Sequence, residues 1–470
     1  MNPYDYKKTL YQDTVIGSAE VVEHEPKILL ECEDTLEVNN QNAMRRLKFH
    51  DSNLMSGEGV SKEEIIRHLT NKEKAETRNV PVHLKDMFQN IAPGHSETEK
   101  DAIADILNKY SDTFSKDETD LGRTSLSKFC IETGDAKPIK QPPRRVPMAY
   151  AGEEKKLIDQ MTNQGIIQKS TSPWSSPLVL VLKKNGKVRA CCDYRILNMA
   201  TKPQAWPLPR IQDCLDTVAG GFIFSTFDLT SGFNQIHIPK TAFVTKYGLY
   251  EYKTLTFGLT NGPACCQRLM ELVLSGLQWQ ILLIYFDDII LFSSNFSQHL
   301  QRLDIVLKRL QEAGLKLKPE KCNIFQTEVT FLGHVVSEQG IQPNPDNITK
   351  ILEFPVPKTV KGVRHILGLG SYYRRFIRNF SDLVKPLTEL TKKSSKFVWS
   401  ENCHLAFEHL KQQFVSPGIL AYPRDEGEYI LDTDASDDAI GAVLQQVQYG
   451  ELKVIAYGSR TLNKAEKITA

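Results

Sequence analysis

The sequence predicts an α+β fold, and three observations carry that expectation. Strand-like and helix-like segments are interleaved without the regular strand–helix–strand rhythm of a parallel sheet. "SPLVLVLKKNGKVRACCDYRIL" (176–197) sets apolar runs on either side of Asn185-Gly186, the strongest short signal for a hairpin. "ILLIYFDDIILF" (281–292) is apolar or aromatic at ten of twelve positions and is broken only by Asp287 and Asp288, which suits two buried strands joined at a tight turn.

The other elements follow along the chain. Residues 1–60 are polar, without a sustained period, and read as linker. Two short helical patterns come next, "VPVHLKDMFQNIA" (80–92) and "EKDAIADILNKYSDTFS" (99–115), the second with Ile103, Ile106, Leu107 and Tyr110 at helical spacing. "KPIKQPPRRVPM" (137–148) reads as an extended arm, because prolines remove donors and fix the backbone. "EEKKLIDQMTNQG" (153–165) is a helix stopped by Gly165. "FIFSTFDLTSGFNQIHI" (222–238) is a strand running into a Ser-Gly break, and "ACCQRLMELVLSGL" (264–277) a buried helix. "HLQRLDIVLKRLQEAG" (299–314) is an amphipathic helix, with Leu300, Leu303, Val306, Leu307 and Leu310 on one stripe and Gly314 as its stop. "LGLGSYYRRFIRNFSDLVKPLTELTKK" (367–393) is helical, aromatic and basic, with Tyr372, Tyr373 and Phe376 read as core. "YILDTDASDDAIGAVLQQ" (429–446) and "KVIAYGSRTLN" (453–463) read as three successive strands.

The chain has 470 residues, 41% hydrophobic and 24% charged, an ordinary composition for a folded protein of two to four domains. Nine cysteines without zinc spacing read as reduced intracellular thiols. No apolar run reaches the roughly 20 residues of a membrane span, so no membrane partner is expected. The net charge of +1 hides an asymmetry. Residues 1–134 hold 17 Lys and Arg against 25 Asp and Glu, whereas residues 135–210 hold 14 against 5. A basic block of that kind suits a polyphosphate partner, although charge runs are also common on solvated faces.

Two adjacent acids in an apolar run call for a chemical reason. A buried carboxylate protonates, pairs or coordinates a cation. An Asp-Asp at a hairpin is also plain turn chemistry. Asp228, at the end of another apolar strand, tips the balance. Carboxylates converging from different strands form a hard-oxygen site suited to magnesium. Two such ions can bridge the attacking and leaving oxygens of phosphoryl transfer.

At this point the sequence resembles a known family, the reverse transcriptase region of gypsy-type LTR retrotransposon Pol polyproteins. "FDLTSGFNQI" (227–236) resembles its first catalytic palm motif, "FGLTNGPACCQ" (257–267) its template- and nucleotide-positioning motif, and "YFDD" (285–288) its Tyr-x-Asp-Asp signature. "SPWSSPLVLVLKKNGKVRACCDYRILN" (172–198) resembles the fingers, and "FLGHVVSEQGI" (331–341) the primer-gripping hairpin. The five occur in family order. The resemblance implies a right-hand polymerase with an acidic N-terminal linker region carrying short helices (1–134), fingers and a palm with an antiparallel sheet (135–337), a thumb or connection (338–393), and an incomplete ribonuclease H-like α/β domain (394–470). It implies an RNA-directed DNA polymerase acting on an RNA or DNA template with primer and on deoxynucleoside triphosphates, with two Mg2+ ions. Asp228 and Asp287 would be the principal metal ligands, with Asp288 contributing charge and hydrogen bonding. Lys183, Lys184 and Arg189 would meet the triphosphate, Phe233 would screen the sugar 2′ position, and Gln267 would lie near nucleotide or template. Asp193, Tyr194 and Arg195 would be structural or position the template. Tyr285, Gly333, Arg374, Arg375 and Arg378 would lie along primer and template. An intracellular setting is implied, cytoplasmic within a virus-like particle and with a nuclear phase.

The sequence also departs from the family. Asp434 resembles the first metal ligand of a ribonuclease H domain whose further carboxylates do not follow, so the resemblance implies an inactive fragment of that domain. The family's hairpin after Ile238 is shorter here, which threatens strand register near Asp228. Gly262 and Cys266 stand where the family more often has Ala and Phe. No upstream protease triplet or integrase zinc motif occurs, as in an excised piece of a polyprotein. These departures leave open a second reading, a catalytically impaired, element-derived nucleic-acid-binding protein, and a third, a degraded reading frame.

Overall fold

The computed structural model describes residues 80–466 apart from 118–119, 147–149, 183–187, 231, 238–240, 394–395, 416–417 and 464. The described residues belong to one compact unit, Glu58–Ala470. Helix α1 (Glu97–Lys109) opens with a capping box, in which the Ser96 hydroxyl accepts from the Glu99 amide and the Glu99 carboxylate from the Ser96 amide. Its Ala102, Ile103, Ile106 and Leu107 are buried. With Phe114, Phe129 and Ile131 they form part of the same core as the central sheet. The short helices expected in the N-terminal region are present, at Lys85–Gln89 and Glu97–Lys109, and their apolar faces pack into the main core. The linker expected over 1–60 lies outside the described residues.

Strand β1 (Thr124–Lys128) and helix α2 (Ala151–Asn163) lead into a five-stranded sheet, the fingers of the expected hand. It is built from β2 (Ile167–Lys169), β3 (Ser176–Leu182), β4 (Val188–Cys192) and, after an excursion through β5 (Ile223–Asp228) and β6 (Ile236–His237), from β7 (Ala242–Thr245) and β8 (Gly248–Tyr252), in the order β2-β8-β7-β3-β4. Strands β3 and β4 pair antiparallel from Leu178↔Cys192 to Leu182↔Val188, as the Asn-Gly signal predicts. The turn itself, with Lys183 and Lys184, lies outside the described residues. Among the described residues β6 pairs in parallel with β1, and β7 pairs with β3 and β8. The connection at 238–240 lies outside the described residues, and β5 is held in register by β10 and β11.

The palm sheet follows helix α3 (Gly262–Val273). It has the order β11-β5-β10-β9, from β9 (Leu282–Tyr285), β10 (Asp288–Ser293) and, beyond helix α4 (Phe296–Glu312), β11 (Asn323–Gln326). Alternation sends Leu282, Ile284, Ile289 and Leu291 to one core and Leu283, Ile290 and Phe292 to another. A sheet covered on both faces explains why this run is apolar throughout and not alternating. The first core holds the stripe of α4, with Leu300, Leu303, Val306, Leu307 and Leu310, and the N-terminal helices. The second is built by the meander β12 (Glu328–Phe331), β13 (His334–Ser337) and β14 (Gly340–Pro343), then helices α5 (Val360–Tyr372) and α6 (Glu401–Gln412). The last sheet is an antiparallel meander, β15 (Tyr429–Ala435), β16 (Ala439–Gln448) and β17 (Glu451–Thr461), whose Val454 and Tyr457 pack onto the second core.

Candidate active site

The three aspartates predicted from sequence come together at one end of the palm sheet. Asp288 faces Asp228 directly across the β10–β5 pair, and Asp288 also pairs with Tyr285, which leaves Phe286 and Asp287 as the two turn residues. Directly opposed residues in an antiparallel pair have Cβ atoms about 5 Å apart, and like charges there repel. Asp287 is pressed from below by Gly232, where an added Cβ would lie 3.0 Å from its Oδ1. A side chain at 232 would push the carboxylate by a few tenths of an ångström, so glycine suits this close approach.

The turn is strained and braced. Phe286 has φ of 55°, a left-handed conformation that costs a non-glycine residue roughly 1–3 kcal/mol. Its amide donates to Gln267 Oε1 at 2.7 Å, and Gln267 Nε2 donates to the Ile284 carbonyl at 3.2 Å. The Tyr285 and Phe286 rings meet edge to face. Gln267, from α3, is 0% exposed, and its amide is committed to the hairpin and to Glu271. Gln267, expected near nucleotide or template, lies beside the Asp287 turn and braces it. The loop after Asp228 is braced by Gln235, whose amide donates to the Thr230 and Lys316 carbonyls and whose Oε1 accepts from the Lys316 amide.

The electrostatics are those of a crowded acidic site. Burial, above all, raises the Asp287 carboxyl; the Cys266 thiol, donating to Oδ1 at 3.0 Å, opposes that, the Asp228 charge adds to it, and Lys321 opposes it. Burial, then the Asp228 and Asp287 charges, raises the Asp288 carboxyl against Lys321. Lys321 Nζ lies 2.9 Å from Asp228 Oδ2, and this hydrogen bond, against partial burial, holds the ammonium pKa above its ordinary value. Lys321 and Cys266 were not among the residues predicted. Lys321 follows helix α4 by nine positions, and its segment is brought beside Asp228 by the Lys318 amide, which donates to the Asp228 carbonyl at 2.9 Å, and by the β11–β5 pairing. Cys266 carried a sequence signal, as a departure from the family's aromatic residue.

The donor set suits a hard divalent cation: three carboxylates, two with proton affinity raised chiefly by burial and further by neighbouring negative charge, and one already drawing in an ammonium. Among the described residues no group of three His, Cys, Asp or Glu side chains closes tightly enough to enclose a metal ion. The fit is one of donor chemistry, with Lys321 in the place of a counter-cation.

The remaining predicted residues scatter. The Arg189 guanidinium lies over the Phe257 ring at 4.6 Å, on the fingers. Asp193, bonded to Arg195 and then Arg144, has its carboxyl held down to about 2. Phe233 falls in the turn Gly232–Gln235, close in sequence to the site, but its side chain lies outside the described residues. Gly333 sits between β12 and β13 with φ of 70°, and an added Cβ would be 3.3 Å from the Tyr373 hydroxyl. Its carbonyl accepts from that hydroxyl, so Gly333 joins the meander to α5. Arg374 donates to the Ser459 carbonyl, and Arg375 is largely buried 3.4 Å from Asp216. Arg375 is thus turned into the chain, whereas Arg374 keeps an exposed side chain. Tyr373 and Phe376 are core as expected, whereas Tyr372 is exposed. Asp434 lies on exposed β15, accepting from Asn379 Nδ2 at 3.0 Å.

A sheet with opposed aspartates, a strained Tyr-x-Asp-Asp turn and a fingers sheet beside it define the reverse transcriptase type of polymerase fold. Residues 181–336 match the family described as reverse transcriptase (RNA-dependent DNA polymerase), and residues 399–470 match the RNase H-like domain found in reverse transcriptase. The chain is 38% identical over 372 residues to the retrovirus-related Pol polyprotein from transposon 297 of Drosophila melanogaster, covering 77% of this chain and 35% of that protein. It is 33% identical over 409 residues to the Pol polyprotein from transposon gypsy of the same organism, covering 82% of this chain and 39% of that one. Its fold resembles the foamy viral protease-reverse transcriptase solved with an RNA/DNA hybrid, with a TM-score of 0.71, 26% identity, and coverage of 84% and 54% of the two chains. The chain thus spans little more than a third of these curated relatives and belongs to the reverse transcriptases of gypsy-type retrotransposon Pol polyproteins.

Proposed function

We propose that the chain is an RNA-directed DNA polymerase that joins deoxynucleotides to a primer 3′-hydroxyl on a nucleic-acid template. The observation that carries the reading is the direct opposition of Asp228 and Asp288, with Asp287 on the adjoining turn. Asp228 and Asp287 would hold two magnesium ions, with Asp288 in support, and ions bound there would supply positive charge beside the primer oxygen and the reacting phosphate. The residues of the chain do the rest. Gly232 and Cys266 fix the Asp287 carboxylate, and Gln267 holds the turn that carries it. Lys321 balances Asp228 and is close enough to the carboxylates to face a phosphate brought to them. On the fingers, Arg189 presents a guanidinium to an incoming triphosphate, and Lys183 and Lys184 belong to the same turn by sequence. Phe233 is the residue proposed to exclude a 2′-hydroxyl by its bulk. An RNA–DNA duplex would be gripped by backbone and shape, and not by base edges. The setting proposed is intracellular: the eight described cysteines are free thiols, which a reducing compartment preserves.

Primer extension on an RNA template with magnesium tests this reading. Deoxynucleotides are expected to be incorporated, ribonucleotides to be disfavoured, and Asp228→Asn to stop both. Duplex binding by the unaltered chain with no extension would favour the second reading, a nucleic-acid-binding protein without polymerase chemistry.

A further inference from the structure

Beyond the hairpin, the hydrogen bonds continue outward. Gln267 Nε2, which braces the Asp287 turn, also donates to Glu271 Oε1 at 2.7 Å, one turn further along α3. The other carboxylate oxygen of Glu271 accepts from Trp206 Nε1 at 3.1 Å. Trp206 is 37% exposed and sits in the Pro-rich segment 201–210, which has no regular secondary structure. That segment is fastened to the start of the same helix a second time. Asn261 Nδ2 donates to the Lys202 carbonyl at 2.8 Å, and the Gln204 amide donates to Asn261 Oδ1 at 3.1 Å. A continuous line of short hydrogen bonds therefore runs from an exposed indole, through Glu271 and fully buried Gln267, to the strained amide of Phe286.

The chemistry of this line is directional. A glutamine amide can flip, exchanging its oxygen and nitrogen. The Phe286 amide needs the oxygen. The Ile284 carbonyl, 3.2 Å from Gln267 Nε2, and Glu271, an acceptor only when ionised and 2.7 Å away, both demand the nitrogen, and Glu271 makes the shorter of the two bonds that hold Gln267 with its oxygen toward Phe286. Trp206, a donor only, occupies the second oxygen of Glu271 and keeps that carboxylate from rotating away. We propose that Glu271 and Trp206 are positioning residues that lock the Gln267 amide and so hold the Asp287-bearing turn in its left-handed conformation. The inference rests on the polymerase reading for its kinetic consequence, but its structural consequence is independent of that reading.

Both can be measured on the same variants. Trp206→Phe keeps an aromatic ring and removes the donor; Glu271→Gln keeps the shape and removes the shorter of the two acceptors that hold the Gln267 nitrogen, leaving the Ile284 carbonyl. Each is expected to speed hydrogen exchange at the Phe286 amide, followed by mass spectrometry over residues 281–292, with melting temperature unchanged. In primer extension each is expected to lower kcat about 3- to 10-fold with deoxynucleotide KM changed less than about twofold, because the effect falls on geometry and not on substrate contacts. Glu271→Asp, which keeps the ionised acceptor, should restore part of the loss. Faster exchange without any extension by the unaltered chain would uphold the lock while refuting the polymerase reading. Unchanged Phe286 exchange in both Trp206→Phe and Glu271→Gln would overturn the lock, as would a loss confined to KM.

Discussion

Asp287 and Asp288 carry a cost that only a cation relieves. Both carboxyls have folded-state pKa values raised above the ordinary carboxylate range, chiefly by burial. A carboxyl raised on folding contributes its full stability below its unfolded pKa and loses it as pH rises through the folded value, so at neutral pH the pair opposes folding. Asp288→Asn should therefore stabilise the metal-free protein by on the order of 1 kcal/mol while sharply reducing incorporation, the familiar trade of stability against function. Urea unfolding in chelator checks the first part and primer extension the second. His299 works in the opposite sense. It is fully buried between the Ser225 and Ser293 hydroxyls, and burial pushes its pKa down to about 3. Its contribution is present above the unfolded value and lost as pH falls toward the folded one, and His334, pushed down to about 4, adds to it. Denaturation midpoints should fall between pH 6.5 and pH 4.5, and less steeply in His299→Gln. The three aspartates were legible in the sequence because acids within apolar strands are anomalous where they stand. Lys321 and Gln235 were not, since an isolated lysine or glutamine becomes informative only when distant strands pair. The burial of Arg375 was not legible, because a basic doublet beside aromatics looks alike at both positions and only the fold brings Asp216 to one of them.

The hairpin and the meander show how much a strand depends on its turns. Gly232 and Gly333 both suit their positions, for different reasons. Gly232→Ala puts a methyl against Asp287, so incorporation should fall at least about 10-fold with duplex affinity nearly unchanged, by analogy with other sub-ångström displacements at reacting centres. Gly333→Ala forces a side chain into a left-handed conformation and against Asn347 and the Tyr373 hydroxyl. It should cost about 1–2 kcal/mol of stability, read from denaturation midpoints, because that conformation is natural only to glycine. The strands flanking Asp287 and Asp288, the Asn-Gly hairpin strands, α4 and the final three strands were all legible, since each rests on a local period or a turn signal. The pairing of β6 with β1 was not legible, because β1 lies over a hundred residues upstream and no local pattern reports so remote a pairing.

Across the molecule, the palm sheet is clamped between two cores, one closed by the N-terminal helices and the other by the meander and the α5–α6 layer. Residues of 80–131 such as Ile103, Leu107, Phe114 and Phe129 contribute to the first of these cores despite the acidic composition of the stretch. The basic block of residues 135–210 lies in the fingers and the segments leading to and from them, opposite in sign to the carboxylate end of the palm. Template binding should accordingly be salt-sensitive and nearly independent of sequence, with log affinity falling linearly with log salt concentration. A flat salt response in filter binding would count against a grip led by phosphates. The measurement closest to the central claim is single-nucleotide incorporation on a primed RNA template with magnesium, run beside duplex binding, for the unaltered chain and Asp287→Asn. The geometry predicts equal binding by both, extension by the first, and a loss of at least about a thousandfold in the second, the scale expected when an electrostatic element of a phosphoryl-transfer site is removed. Extension by Asp287→Asn at the unaltered rate would contradict it.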